Sequence, residues 1–173
     1  MLPKVHRSDG GPLRRGGEEM SGNRKKEIIR IKPIQNGTVI DHLNQGTAYK
    51  ILEVLDLKDY TVTAAMNVES RKMGKKDVIF IEGKELSERE MEKVALIGKG
   101  ATLNIIKNGE NKTKTKLEYP KMVHGTIKCI NPKCISNVEK VSGKFDITEN
   151  PLMAKCVYCE TRMNEEDIVS GIK

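Results

Sequence analysis

Aromatic residues are scarce: the chain has four Tyr, two Phe and no Trp, too few for the stacking platforms that grip single-stranded nucleic acid. Long apolar runs are missing as well. The continuous stretch at 78–81 is far short of the roughly 20 residues that cross a bilayer as a helix. The first residues, MLPKVHRSDGGPLRRGGEEM, lack the apolar core of a secretory signal, so a soluble, cytoplasmic protein is expected. Catalytic signatures are absent too. No Gly-rich phosphate loop, no H-E-x-x-H pair and no nucleophile with a base at a known spacing occurs, which disfavours a stand-alone enzyme.

Cysteine is rare, and where it occurs it is patterned. Cys129, Cys134, Cys156 and Cys159 stand as C-x4-C, a 21-residue gap, then C-x2-C. Each short pair supplies two thiolates from one turn, and the intervening loop brings the turns together around a tetrahedral ion. Two disulfides or four unrelated core cysteines are the alternatives, the disulfides being disfavoured in a reducing compartment. With four cysteine ligands no coordination position stays open, so the expected cofactor is one structural Zn2+ per chain. Lys128, Lys133 and Lys155 adjoin the cysteines and offset the charge of four thiolates. The segment 121–173 is too small for a large apolar core, so metal binding and folding should be coupled.

The net charge of +7 over 173 residues invites a second reading, a zinc-ribbon nucleic-acid-binding protein, since clustered cations release counterions from phosphates. Much of that excess lies in residues 1–26, rich in Gly, Arg and Lys and expected to be a disordered basic arm. Residues 27–120 form the next domain and 121–173 the last, with the hinge at Pro120-Lys121.

Within 27–120 the elements are short and regular. Ile28, Ile29 and Ile31 read as strand, Asn36-Gly37 as a possible turn, and 38–40 as the next strand. Thr47 is placed to cap a helix whose Ala48, Ile51, Leu52 and Leu55 share one face. Alternation of Val62, Ala64, Met66 and Val68 with Thr61 and Thr63 gives a half-buried strand, followed by a turn at 73–76 and a strand at 78–81. Ser87 and Glu90 make a capping box, Leu86 can staple to Met91, and Gly98 stops the second helix. Ala101, Leu103 and Ile105 alternate as strand into an Asn108-Gly109 hairpin. The order predicts an α+β fold: a ferredoxin-like antiparallel sheet with two helices and one extra strand. A small zinc-ribbon-like all-β domain follows, with strands expected at 123–127, 138–147 and 153–158.

Two features in the first domain bear on binding. Asp41-His42 closes a strand beside the start of the first helix, either as a hydrogen-bonded structural pair or as part of a site. Lys112, Lys114 and Lys116 line one strand, either as an edge protected from aggregation or as a site for a polyanion. His124 reads as a surface residue near the metal module.

The residues Gly37-Thr38-Val39-Ile40-Asp41-His42, Met73-Gly74-Lys75-Lys76-Asp77, Leu86-Ser87 and Ala101-Thr102-Leu103-Asn104, together with Asn131-Pro132-Lys133-Cys134-Ile135-Ser136 and the two cysteine pairs, resemble the regulatory chain of aspartate carbamoyltransferase. The resemblance runs from about Ile31 to the C-terminus. It implies a noncatalytic subunit of pyrimidine biosynthesis that dimerises through its N-terminal domain. Its zinc domain would dock on catalytic chains, three regulatory dimers joining two catalytic trimers. It implies CTP and ATP as effectors, with Asp41 reading the base, His42 and Lys114 on the triphosphate, Asn104 along the ribose and base, and Ile34, Val39 and Ile106 lining the pocket. Phe80, Gly109 and Asn111 depart from the family pattern, and these departures bear on effector preference.

Overall fold

The computed structural model describes residues 33–139 and 141–173; the arm expected at 1–26 and the strand expected at 28–31 fall outside the described residues. The N-terminal part runs β1 (Gly37–Leu43), α1 (Ala48–Val54), β2 (Val62–Ser70), β3 (Gly74–Glu82), α2 (Glu88–Ile97), β4 (Thr102–Lys107) and β5 (Glu110–Lys116). These strands form one antiparallel sheet in the order β2-β3-β1-β4-β5. This is the ferredoxin-like arrangement with β5 added at an edge.

Side chains alternate across a strand, so the apolar residues sort themselves to one face. Ile40, Ile79, Ile81 and Leu103 are buried against Ala48, Ile51, Val94 and Ala95 of the two helices. Their neighbours Val39, Asp41, Phe80, Asn104 and Ile106 therefore face the other side, which carries no helix among the described residues. Burying one such Ile or Leu side chain is worth roughly 1.5–3 kcal/mol. The sheet's core thus draws its stability from packing alone.

The C-terminal part comprises β6 (Met122–His124), α3 (Ile135–Val138), β7 (Lys144–Thr148), β8 (Met153–Cys156), β9 (Arg162–Met163) and α4 (Glu165–Gly171). Its sheet has the order β6-β7-β8-β9. Phe145, Ile127, Met163 and Ile168 pack with Cys129, Cys134 and Cys156 in a second core, and Leu96 of α2 belongs to that core rather than the first. Helix α2 is thus shared. Its Glu92 accepts from the buried Thr126 hydroxyl at 2.7 Å, and Arg89 donates to the Gly125 carbonyl.

Several local expectations hold in detail. Both halves of the Ser87/Glu90 capping box are made. Asn108 and Gly109 take φ of 54° and 76°, as a primed hairpin turn requires. Gly98 is the C-cap of α2, its N–H on the Val94 carbonyl, and a Cβ there would lie 2.7 Å from Leu43 Cδ2.

Others are corrected. Thr47 occupies the N-cap of α1 but has helical backbone angles and makes no side-chain cap; Asp77 accepts the Gly46 and Ala48 N–H groups instead, at 2.8 and 3.2 Å. Gly37 is not in a turn but opens β1, where a Cβ would lie 2.0 Å from the Ile81 carbonyl oxygen. The alternation in β2 breaks at a bulge between Ala65 and Val68, where Asn67 has φ of 58° and Met66 is exposed. The strand expected at 138–147 starts only at Lys144, with Val138 and Val141 exposed. Helix α4 was not anticipated at all.

Candidate functional site

The four cysteine thiols converge, all within 4.8 Å of one another. Cys129 and Cys159 sulfurs lie 3.6 Å apart, and those of Cys134 and Cys156 lie 3.7 Å apart. A tetrahedral ion with Zn–S bonds of about 2.3 Å sets its sulfurs about 3.8 Å apart, so the cluster fits such an ion closely. The cysteines are free rather than disulfide-bonded. Burial pushes the Cys129 thiol up to about 12. Burial is the largest single influence on Cys159 and raises its thiol, but the hydroxyl and backbone N–H of Thr161, joined by Asn131 and Cys129, together draw it down to about 6. Turn geometry holds the ring in place: Asn137 Nδ2 donates to the Cys129 and Asn131 carbonyls at 2.8 and 2.7 Å. His124, exposed on β6, is outside the cluster.

A second constellation lies on the face of the first sheet opposite its two helices. Because the strands are antiparallel, the end of β1, the starts of β3 and β4 and the end of β5 share one edge. At that edge a cleft of about 620 Å3 is lined by His42, Asn44, Lys72, Met73, Lys99, Gly100, Thr102, Lys114 and Lys116. The volume suits a small-molecule ligand. Among the described residues no carboxylate lines it, whereas four lysines and a histidine do. Lys72 and Lys114 make no ion pair among the described residues; Lys116 pairs with Glu118 at 3.0 Å and Lys99 with Glu149. The cleft between α1 and α4, about 640 Å3, has the opposite character, with Glu53, Glu165 and Glu166 against Lys50.

Away from the cleft, the register builds a row across the sheet. Phe80 faces Val39, Val39 faces Asn104, and Asn104 faces Lys114. One step toward Gly37, Ile106 faces Asn111, whose Nδ2 donates to Asn104 Oδ1 at 2.9 Å. That bond occupies the carbonyl oxygen of the buried Asn104 side chain, whose other polar group is the amide donor. Ile34 precedes β1 at the same end of the sheet. The Lys stripe is only partly continuous: a bulge between Ile105 and Ile106 sets Lys112 out of register, where it pairs with Glu110 at 2.5 Å.

Asp41 is a nearly closed account. Its Oδ1 accepts from Lys76 Nζ at 2.6 Å and from the His42 N–H at 2.7 Å. Partial burial works against its charge, but these two donors outweigh burial and hold the carboxyl below its ordinary range. His42 Nδ1 lies 3.0 Å from Asp41 Oδ2 without an aligned hydrogen bond. Below them Asp77, fully buried, accepts from Asn67 N–H at 2.9 Å as well as from Gly46 and Ala48. It ties the β1–α1 loop to the β2 bulge and so shapes the cleft rim.

Of the residues expected to contact nucleotide, His42 and Lys114 line the cleft, while Val39, Asp41, Asn104 and Ile106 lie on the same sheet face beyond it. Lys72, Lys99 and Thr102 were missed. No spacing rule joins residues from the β2–β3 and α2–β4 turns; the only signal was a lysine in each turn.

Comparison with known proteins agrees across both parts. The family model for the aspartate carbamoyltransferase regulatory chain, allosteric domain, matches residues 29–118, and that for its metal binding domain matches 121–169. A regulatory chain from Methanococcus aeolicus is 47% identical over 85% of this chain and 96% of its own. Those from Methanocaldococcus jannaschii and Sulfolobus acidocaldarius are 48% and 45% identical, covering 80% and 89% of this chain and 95% and 96% of their own. The chain therefore belongs to the family of aspartate carbamoyltransferase regulatory chains and is a noncatalytic, regulatory subunit with an allosteric and a metal-binding domain.

Proposed function

We propose that residues 27–120 bind nucleoside triphosphate effectors, CTP and ATP, and that residues 121–173 hold one structural Zn2+ and dock on catalytic chains of aspartate carbamoyltransferase. The observation that carries the nucleotide reading is the cleft itself: Lys72, Lys99, Lys114, Lys116 and His42 converge on one concavity with no acid among the described residues of its walls. Charge-assisted bonds to phosphate oxygens are the strong kind. A triphosphate in the cleft leaves the base and ribose along the row of Val39, Asn104 and Ile106, with the Asn104 amide as donor and Asp41 as acceptor. Cations gathered in one concavity favour a compact polyanion over the extended backbone of a nucleic acid.

Cys129, Cys134, Cys156 and Cys159 would hold the zinc. A bound Zn2+ supplies no chemistry here, since four thiolates close its coordination; it ties the two turns together. Around it Ile130, Ile135, Val138, Val157 and Tyr158 are exposed. Such apolar side chains gathered on two loops suit a protein partner, here the catalytic chain. Dimerisation through the N-terminal domain draws support from β2, an outer strand whose one charged residue is Glu69, against Glu110 and three lysines on β5. Four free thiols accord with a cytoplasmic setting.

The test is calorimetric titration of CTP and ATP into the zinc-loaded chain and into a Lys114→Ala, His42→Ala variant. Binding that falls by roughly 10-fold or more in the variant supports the site, because hydrogen bonds to charged groups are worth about 1.5–3 kcal/mol each. Equal affinity in both proteins would place the nucleotide elsewhere.

A further inference from the structure

Lys99 differs from the other cleft cations in where its counterion sits. Lys116 pairs with Glu118, two residues along the chain, whereas the Lys99 partner Glu149 belongs to the turn between β7 and β8 of the metal-binding domain. Lys99 also lies 4.7 Å from the ring centroid of Tyr119, which packs on the second core. Its backbone sits in the Gly98-Lys99-Gly100 turn that ends α2, the helix whose Leu96 enters that same core. Both members of the pair are partly exposed, at 33% and 42%, so the ammonium has room to change partner.

The turn it holds leads directly to the metal cluster. Leu152, next to the turn, is buried in the second core, and β8 runs from Met153 to Cys156. One ammonium thus stands between a polyanion cleft and the strand carrying a thiol ligand.

We propose that Lys99 is the coupling residue of this chain: a phosphate group in the cleft competes with Glu149 for the Lys99 ammonium, and its capture releases the β7–β8 turn of the metal-binding domain. The proposal rests on the reading of the cleft as a polyphosphate site. A ligand shifts a conformational equilibrium only through contacts that differ between the two states, and the exchange of Glu149 for phosphate is such a difference. Coupling is reciprocal, so weakening the Glu149 tether must tighten anion binding. An exposed ion pair of this kind limits the gain to roughly two- to five-fold.

Inorganic tripolyphosphate is titrated calorimetrically into the full zinc-loaded chain, Glu149→Gln, Lys99→Gln and the double variant, with hydrogen exchange followed in residues 148–153. Expected are tighter binding to Glu149→Gln than to wild type, weaker binding to Lys99→Gln, and no effect of Glu149→Gln once Lys99 is gone. Tripolyphosphate should speed exchange in 148–153 of the wild type and leave Lys99→Gln unchanged. Equal tightening by Glu149→Gln in both backgrounds would mean a general charge effect and overturn the relay, as would exchange in 148–153 that ignores bound tripolyphosphate. Absence of binding to every protein would overturn the cleft reading itself, and the relay with it.

Discussion

The two domains reach stability by different routes. The N-terminal sheet buries Ile40, Ile79, Ile81 and Leu103 under two helices and needs nothing else to close its core. The C-terminal domain has short strands, and three of its buried core residues are Cys129, Cys134 and Cys156, so its apolar core is also its metal site. A domain held by dispersed packing can keep one sheet face free for a ligand. A domain held at one point transmits what happens at that point, and a turn leading into it is a sensitive place for a tether such as Glu149.

The comparison breaks most clearly on the metal. Chelation, or Cys156→Ser, should unfold the C-terminal domain while nucleotide binding by the sheet persists, because metal-coupled folding of small zinc modules is on the order of 10 kcal/mol. Hydrogen exchange resolved by domain checks this; protection that survives with the metal gone would show that packing alone suffices there. Next in size is Ile79→Ala, expected to cost about 2–5 kcal/mol in urea unfolding of the sheet domain. Metal affinity should stay constant; a parallel loss would make the two domains one cooperative unit.

Asp77→Ala should come third. It strands the N–H groups of Gly46, Ala48 and Asn67, a penalty of about 1–3 kcal/mol. It should also weaken tripolyphosphate binding by loosening the rim, which calorimetry reads directly. The smallest effect belongs to Asp41. Its folded pKa is depressed, so its stabilising contribution is complete above the unfolded value of about 3.9 and is lost as pH falls through the lower folded value. Asp41→Asn should therefore flatten the fall in stability below about pH 4, by less than ~1 kcal/mol given its partial exposure. An unchanged acid limb in equilibrium unfolding would show that the Lys76 contact contributes nothing.

What was readable in the chain depended on how local the cause was. The cysteine spacing, the Ser87/Glu90 box and the Asn108-Gly109 turn act within a few residues, and each emerged as expected. Bulges in β2 and β5 escaped, because an extra residue shifts the two-residue period without changing composition. Helix α4 escaped although its signal was present: Asn164 and Asp167 form a capping box, but the helix is short, acidic and has one fully buried apolar residue, Ile168. The cleft lysines were hardest. Lys72 and Lys99 meet only because the antiparallel sheet brings two turns to one edge, a fact of topology that no window of sequence contains.

Asp77 carries a consequence for how this rim tolerates change. One buried carboxylate grips the backbone of two loops through amide groups, which every residue except proline possesses. The side chain of Asn44, which lines the cleft, takes no part in that grip, so it is free to be exchanged while the backbone keeps its course. The rim is thus a mount with an interchangeable face: recognition can be rewritten at position 44 by substitution, provided that position 77 remains acidic, position 48 is not proline, and positions 46 and 67 keep residues that accept a positive φ.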